Sequence, residues 1–284
     1  MGRSLELSYW ICARETMRLR HAAGDKNYDY GYSDDPLMGS IRYCNVRRED
    51  DKVTKWLAQN WRPQYHEVWQ ILLARLINNV PTLARLRVLM EYPDALDSVR
   101  SHLKALRQDG PIFGSAYTVS TNGHSMDKVD YIIDRVVAPA RQVTPKMPYG
   151  LMPEAFGDQG ASITLASANE WLVGMLNGVS TFMSGQIIAD LKNTAGHPLQ
   201  NAPDWHTWAA PGPGSLRGLS AYWNRPISPA GFTAALRGAW EEVRPLLPVE
   251  LHDLHMQDFQ NCMCEFSKYM RAKNGGHVRN RYRG

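Results

Sequence analysis

Apolar residues recur at every third or fourth position from Leu5 to Leu19, and Gly24 follows where such a helix would stop. The same spacing returns in "QYHEVWQILLARLINNV", in "PTLARLRVLMEY" and in "DALDSVRSHLKALRQ", the last closed by Gly110. "REDDKVTKWLAQNW" predicts a helix with an acidic first turn, favourable at the positive end of the helix dipole. Helical spacing continues through "MDKVDYIIDRVVAPA", from Ser162 to Leu176 and from Thr181 to Leu191. A short helix is expected from about Leu216. Ser228 and Pro229 would cap and start the next, because proline at the first helical position forfeits no bonded N–H. Leu251 to Met270 reads as the last helix. "IFGSAYTVS" alone has an extended look, and it is too short to support a large sheet. The predicted fold class is therefore all-α. "RQVTPKMPYGLMPEAFGDQGA" carries three prolines and three glycines and reads as a loop. The expectation is one helical domain over residues 1–284, bilobed around a central loop near 139–161.

At 284 residues the chain can build one large core or two modest ones. A net charge of +4 is mild, and it permits an anionic partner without demanding one. Its distribution says more. Beyond Glu265 stand Lys268, Arg271, Lys273, Arg279, Arg281 and Arg283 with no acidic residue, a run that can neutralise phosphates or simply be solvated. Nine tryptophans and thirteen tyrosines against six phenylalanines suit grooves and stacking surfaces, although most must fill the core of so long a chain. Tyr43, Trp205 and Trp208 are the candidate stacking platforms. Cys12, Cys44, Cys262 and Cys264 do not form a secreted framework, and no window approaches the ~18 apolar residues of a membrane span. "MGRSLELSYWICARETMRLR" reads as an amphipathic helix rather than a signal peptide, so a cytoplasmic setting is expected.

Four segments carry candidate chemistry. In "HDLHMQDFQNCMC", Cys262 and Cys264 diverge by about 200° on a helix, so they make a poor pair for one zinc ion and no metal site is assigned. Asp258 and Glu265 lie almost two turns apart on one stripe, with Lys268 one turn beyond. Facing a cleft they would exchange protons; facing solvent they would only solubilise the helix. Gln186 and Asp190 form a second pair, four residues apart, beside Met183 and Ile187. The run Arg47, Arg48, Glu49, Asp50 and Asp51 mixes charges between Val46 and Val53. "PGPGSLRGL" can cradle an anion through the N–H groups around Gly212 and Gly214, with Arg217 one turn on, or it is a tight loop stiffened by proline. No GxxxxGK[ST] run occurs, which disfavours ATP-dependent phosphoryl transfer through that cradle.

"YWICARETMRLR", "RYCNVRREDDKVTKW", "FMSGQIIADL", "PGPGSLRGL" and "CEFSKYMR", followed by "RNRYRG", occur in an order that resembles the helical domain of phage 5-hydroxymethyluracil DNA kinases. The wider group is the alpha-glutamyl/putrescinyl-thymine pyrophosphorylases. The resemblance runs from about Leu7 to the C-terminus. It implies a distant likeness to helix-hairpin-helix DNA glycosylases, with Gly212 and Gly214 in a phosphate-binding hairpin. It also implies work on hypermodified thymine in double-stranded phage DNA, inside an infected bacterium, alongside a separate base kinase. The activity so implied replaces the pyrophosphate of 5-pyrophosphomethyluracil with an amino acid such as glycine, or with a polyamine. Mg2+ would be expected only as an ion accompanying pyrophosphate. In that scheme Asp258, Glu265 or Asp190 orients or deprotonates the amine, and a flipped base would rest on an aromatic platform. Arg47, Asp51, Arg217, Lys268, Arg271 and Arg281 would meet DNA or pyrophosphate. A base-excision glycosylase and a non-catalytic DNA-binding partner of the kinase are the competing expectations.

Overall fold

A computed structural model describes residues 2–26, 30–62, 68–90, 96–114, 121, 123–143, 163–176 and 178–278, with backbone alone for 87–90. The regular structure of these residues is helical, and among them β structure is limited to isolated bridge residues, including an antiparallel pair of Tyr30 and Ser33. In chain order the helices are α1 (Arg3–Ala23), α2 (Pro36–Ser40), α3 (Lys52–Asn60), α4 (Val68–Ile77), α5 (Val80–Met90) and α6 (Leu96–Gln108). Then come α7 (Lys128–Tyr131) and α8 (Ala138–Val143), joined by a π-helical stretch over Ile132–Val137. The series closes with α9 (Leu165–Met175), α10 (Thr181–Lys192), α11 (Pro213–Tyr222), α12 (Phe232–Val243) and α13 (Met256–Lys273). None of the described helices is long and apolar enough to cross a membrane.

Several helix ends obey local chemistry. Gly24 ends α1 in the left-handed region at φ 72°, where a side chain would be strained, and its N–H closes on Arg20 and His21 carbonyls. Other ends differ from expectation. α11 begins at Pro213, three residues before Leu216, because Pro213 takes the first helical position after Gly212. α12 begins at Phe232 rather than at Pro229, since Ser228 Oγ instead accepts the Gly231 N–H at 3.2 Å and holds a turn. The acids Glu49 and Asp50 belong to a short 3-10 turn over Arg48–Asp50, and α3 starts only at Lys52. The central loop near 139–161 lies mostly outside the described residues.

The chain divides into two compact units, Met1–Asp51 with His206–Gly284, and Lys52–Trp205. The first unit is discontinuous in sequence. Its core gathers Trp10 and Ile11 of α1, Leu236 of α12, and Phe259, Met263 and Phe266 of α13. α11 can lie directly on α13 because Gly214 and Gly218 present no side chain there. A Cβ at Gly214 would meet Cys264 Sγ at 2.1 Å, and one at Gly218 would meet the Met263 carbonyl oxygen at 2.2 Å. Gly218→Ala is therefore expected to cost about 1–3 kcal/mol through forced separation of the two helices. Urea unfolding measures it, and an unchanged midpoint would show that the contact yields freely.

The second unit, α3 to α10, is built around α4, whose ten residues are all buried. A helix apolar on every side belongs at a centre. Two of those ten, Gln70 and Arg75, are polar, so the core must supply partners for them.

Candidate functional site

The stripe predicted on the last helix exists, and it faces protein. Residues 42–48, which lead into the 3-10 turn at Arg48, run along α13 and are fastened to it step by step. Lys268 Nζ donates to the Arg42 carbonyl at 3.2 Å, and Glu265 Oε2 accepts the Cys44 N–H at 3.1 Å. Asn261 Nδ2 donates to the Asn45 carbonyl at 2.8 Å, and Asp258 Oδ1 accepts the Arg48 N–H at 2.7 Å. On α1, Arg14 Nε donates to the Cys44 carbonyl at 2.9 Å, and Nη2 reaches Asn45 Oδ1. A strand inside a sheet would satisfy its backbone with another strand. Here side chains of two helices do that work.

Both candidate acids are thereby committed. Asp258 sits in the first turn of α13, where Oδ2 accepts the His255 N–H at 3.3 Å while His255 Nδ1 accepts the Asp258 N–H at 3.3 Å. This reciprocal arrangement is a capping box, with histidine in the place usually held by serine or threonine. Glu265 is 4% exposed, and its Oε2 also receives Lys268 Nζ at 2.6 Å. Asp190 is fully buried on α10, gripped by two nitrogens of Arg75, and its Oδ1 accepts the Thr54 hydroxyl at 2.9 Å. The Arg75 guanidinium donates to that same hydroxyl oxygen at 2.6 Å.

Of the cations, Arg47 is bidentate on Asp253, at 2.7 and 3.1 Å, and donates to the Glu250 carbonyl at 2.8 Å. That pairing holds the Asp253 carboxyl below its ordinary range. Its folded value is depressed, so its contribution to stability is present above the unfolded carboxylate pKa and lost as pH falls through the folded one. Asp253→Asn should then lower wild-type stability slightly at pH 7, with the two proteins converging under acid unfolding below about pH 4. Parallel unfolding curves at every pH would contradict this role.

Arg217 on α11 and Arg271 on α13 are exposed and make no hydrogen bond or ion pair among the described residues. Gly212 caps α11 through its N–H, donated to Ser215 Oγ at 3.1 Å, and Gly214 lies inside the helix. Gly212 and Gly214 thus stand at the start of α11, with Gly214 packed on Cys264. Asp51 ends the 3-10 turn, its N–H bonded to the Arg48 carbonyl at 3.1 Å. Tyr43 is buried, edge-on to Trp10, and Trp205 lies under the Lys192 ammonium at 3.9 Å from its ring centre. Trp208 is half-buried. Arg281 lies outside the described residues.

Burial, then the neighbouring Glu265, pushes the Cys264 thiol up to about 11 and the Cys44 thiol well upward. Neutral thiols are poor nucleophiles. Among the described residues, no group of three or more His, Cys, Asp or Glu side chains is placed to hold a metal ion.

Sequence spacing missed Arg14, Thr54 and Arg75 as organisers, and also Asp35. Asp35 Oδ2 accepts the hydroxyls of Tyr9 and Tyr269 at 3.2 and 2.9 Å, and its Oδ1 caps α2. A usable signal existed for Arg75 alone, a charge inside the apolar run "QILLARLINN". Set against known families, residues 4–278 match the one described as 5-hmdU DNA kinase, helical domain. No curated protein and no solved structure matches the chain.

Proposed function

The chain belongs to the 5-hmdU DNA kinase helical-domain family, and from that membership we propose that it engages DNA containing 5-hydroxymethyluracil as the helical partner of a base kinase. The match over residues 4–278 carries this reading, because it spans both compact units rather than one motif. The geometry supports it in two ways. The acids of α13 serve as scaffold, and Arg217 and Arg271 remain available for phosphates. Binding of a 5-hydroxymethyluracil duplex, followed by fluorescence anisotropy across a salt series, tests it. Arg217→Ala and Arg271→Ala should each reduce the logarithmic salt slope by about one unit. A wild type with no measurable affinity for either modified or unmodified duplex would end the proposal.

A second reading has its own observation. The chain belongs to a 5-hmdU DNA kinase helical-domain family yet has no GxxxxGK[ST] cradle, which disfavours phosphoryl transfer through that cradle and favours another step on the same base. That step would be amine transfer to 5-pyrophosphomethyluracil. A carbon–nitrogen bond forms at the exocyclic methylene, the carbon–oxygen bond breaks, and pyrophosphate leaves with the electron pair. The amine proton passes to a base. Incubation with pyrophosphorylated DNA and a panel of amino acids and polyamines separates the readings. A heavier nucleoside with released pyrophosphate establishes transfer, abasic sites indicate a glycosylase, and unchanged nucleosides leave the binding role.

A further inference from the structure

The unit formed by residues 1–51 and 206–284 contains a cleft of about 630 Å³, lined by Trp223, Arg225, Ile227 and the near face of α12. Gly231 before α12 and Ala234, Ala235 and Gly238 on it line the cleft with short residues; the Trp223 ring lies over Gly238 and Ala235, and Ala234 stays exposed beside it. The walls are held in advance of any ligand. Trp223 donates its Nε1–H to the Ala235 carbonyl at 3.1 Å and meets Tyr222 edge-on at 5.1 Å. Asn224 takes the left-handed conformation at φ 49°. The Arg225 N–H bonds to the Ser220 carbonyl at 3.1 Å and the Ile227 N–H to Ser220 Oγ at 3.0 Å, fixing the loop. At the lip, the Arg225 side chain is exposed and makes no hydrogen bond or ion pair among the described residues.

We propose that this cleft receives one nucleotide extruded from the DNA strand, its base against Trp223 and the bare face of α12 and its phosphate on Arg225. The inference rests on the DNA reading above and locates where the modified base would be recognised. The volume lies within the roughly 300–1,000 Å³ range of small-ligand clefts. An apolar slot with one aromatic wall suits a planar base, which stacks whatever its identity. A planar guanidinium with five donors and no partner among the described residues suits a phosphate. Taking a base out of the duplex costs unstacking energy, and a preformed cleft offsets part of that cost.

The test uses the full chain with 15N-labelled indoles, the Trp223 signal being identified by its loss in Trp223→Phe. Titration with 5-hydroxymethyl-2′-deoxyuridine 5′-monophosphate should shift that signal saturably. Ala234→Trp, which fills the cleft from an exposed helix position, should abolish the shift, and Arg225→Gln should weaken binding at least tenfold. With duplexes, wild type should prefer 5-hydroxymethyluracil over thymine, and Ala234→Trp should lose that preference while retaining general DNA affinity. An unmoved Trp223 signal, with duplex preference surviving both variants, overturns the cleft and leaves the DNA reading standing. If wild type binds no duplex, the DNA reading falls and the mononucleotide decides. A saturable shift sensitive to Arg225→Gln keeps the cleft as a nucleotide site, and its absence removes it. Should Ala234→Trp fail to fold, Arg225→Gln and the wild-type shift decide alone.

Discussion

Replacing Asp190 with Asn should destabilise the unit formed by residues 52–205 by roughly 3–5 kcal/mol, the largest single effect expected in this protein. Asp190 and Arg75 are both wholly inaccessible to solvent, and each satisfies the other while sharing the Thr54 hydroxyl. Asparagine keeps the shape but removes the carboxylate charge that two nitrogens of the buried guanidinium grip. Hydrogen exchange of the α4 and α10 amides reads this unit by itself. The double variant Asp190→Leu with Arg75→Met should recover most of the loss, because a buried ion pair seldom outperforms well-packed apolar side chains of similar size. A single Asp190→Asn variant within about 1 kcal/mol of wild type would show that water or another group relieves Arg75, and would reopen a chemical role for the carboxylate.

Asp258→Ala should cost about 2–4 kcal/mol, because it removes the carboxylate half of the capping box, which accepts the His255 N–H, and the acceptor of the buried Arg48 N–H. Asp258→Asn should cost less, since the amide oxygen can still accept that N–H. The order is diagnostic. If Asp258 only fastens residues 42–48 to α13, DNA binding and any turnover follow the folded fraction and recover in Asp258→Asn. A group that takes a proton in the transition state would do the reverse, with a rate loss of roughly 10²-fold or more in a stable Asp258→Asn protein. Glu265→Gln extends the comparison two turns along the same helix. Equal stability of Asp258→Ala and wild type would remove the ladder as a determinant of this fold.

Periodicity and punctuation were enough to read the all-α class, the stop at Gly24 and the common stripe of Asp258 and Glu265. These depend on neighbours within one or two turns. What the stripe faces depends on residues more than two hundred positions away, and no local rule identifies Cys44 or Arg48 as the partner. The same limit explains Gly214 and Gly218. Their close approach to Cys264 and Met263 is set by residues some fifty positions further along the chain, which no local rule names. "RYCNVRRE" and "CEFSKYM", quoted as separate motifs, are the two sides of one contact. The availability of Arg217 and the engagement of Arg47 were likewise invisible, because both read simply as arginines near polar turns.

The ladder between residues 42–48 and α13 also bears on how the protein is made. A ribosome delivers residue 48 long before residue 258, and the whole of Lys52–Trp205 emerges between them. At synthesis rates of about 5–20 residues per second, that interval is on the order of ten to forty seconds. Throughout it, Trp10 and Ile11 have no α13 to cover them, and the N–H groups of Cys44 and Arg48 lack their α13 carboxylate acceptors. The later-synthesised continuous unit can close first around α4. The N-terminal segment, although earliest out, is among the last to be sealed, and its apolar face is what a nascent-chain chaperone would meet.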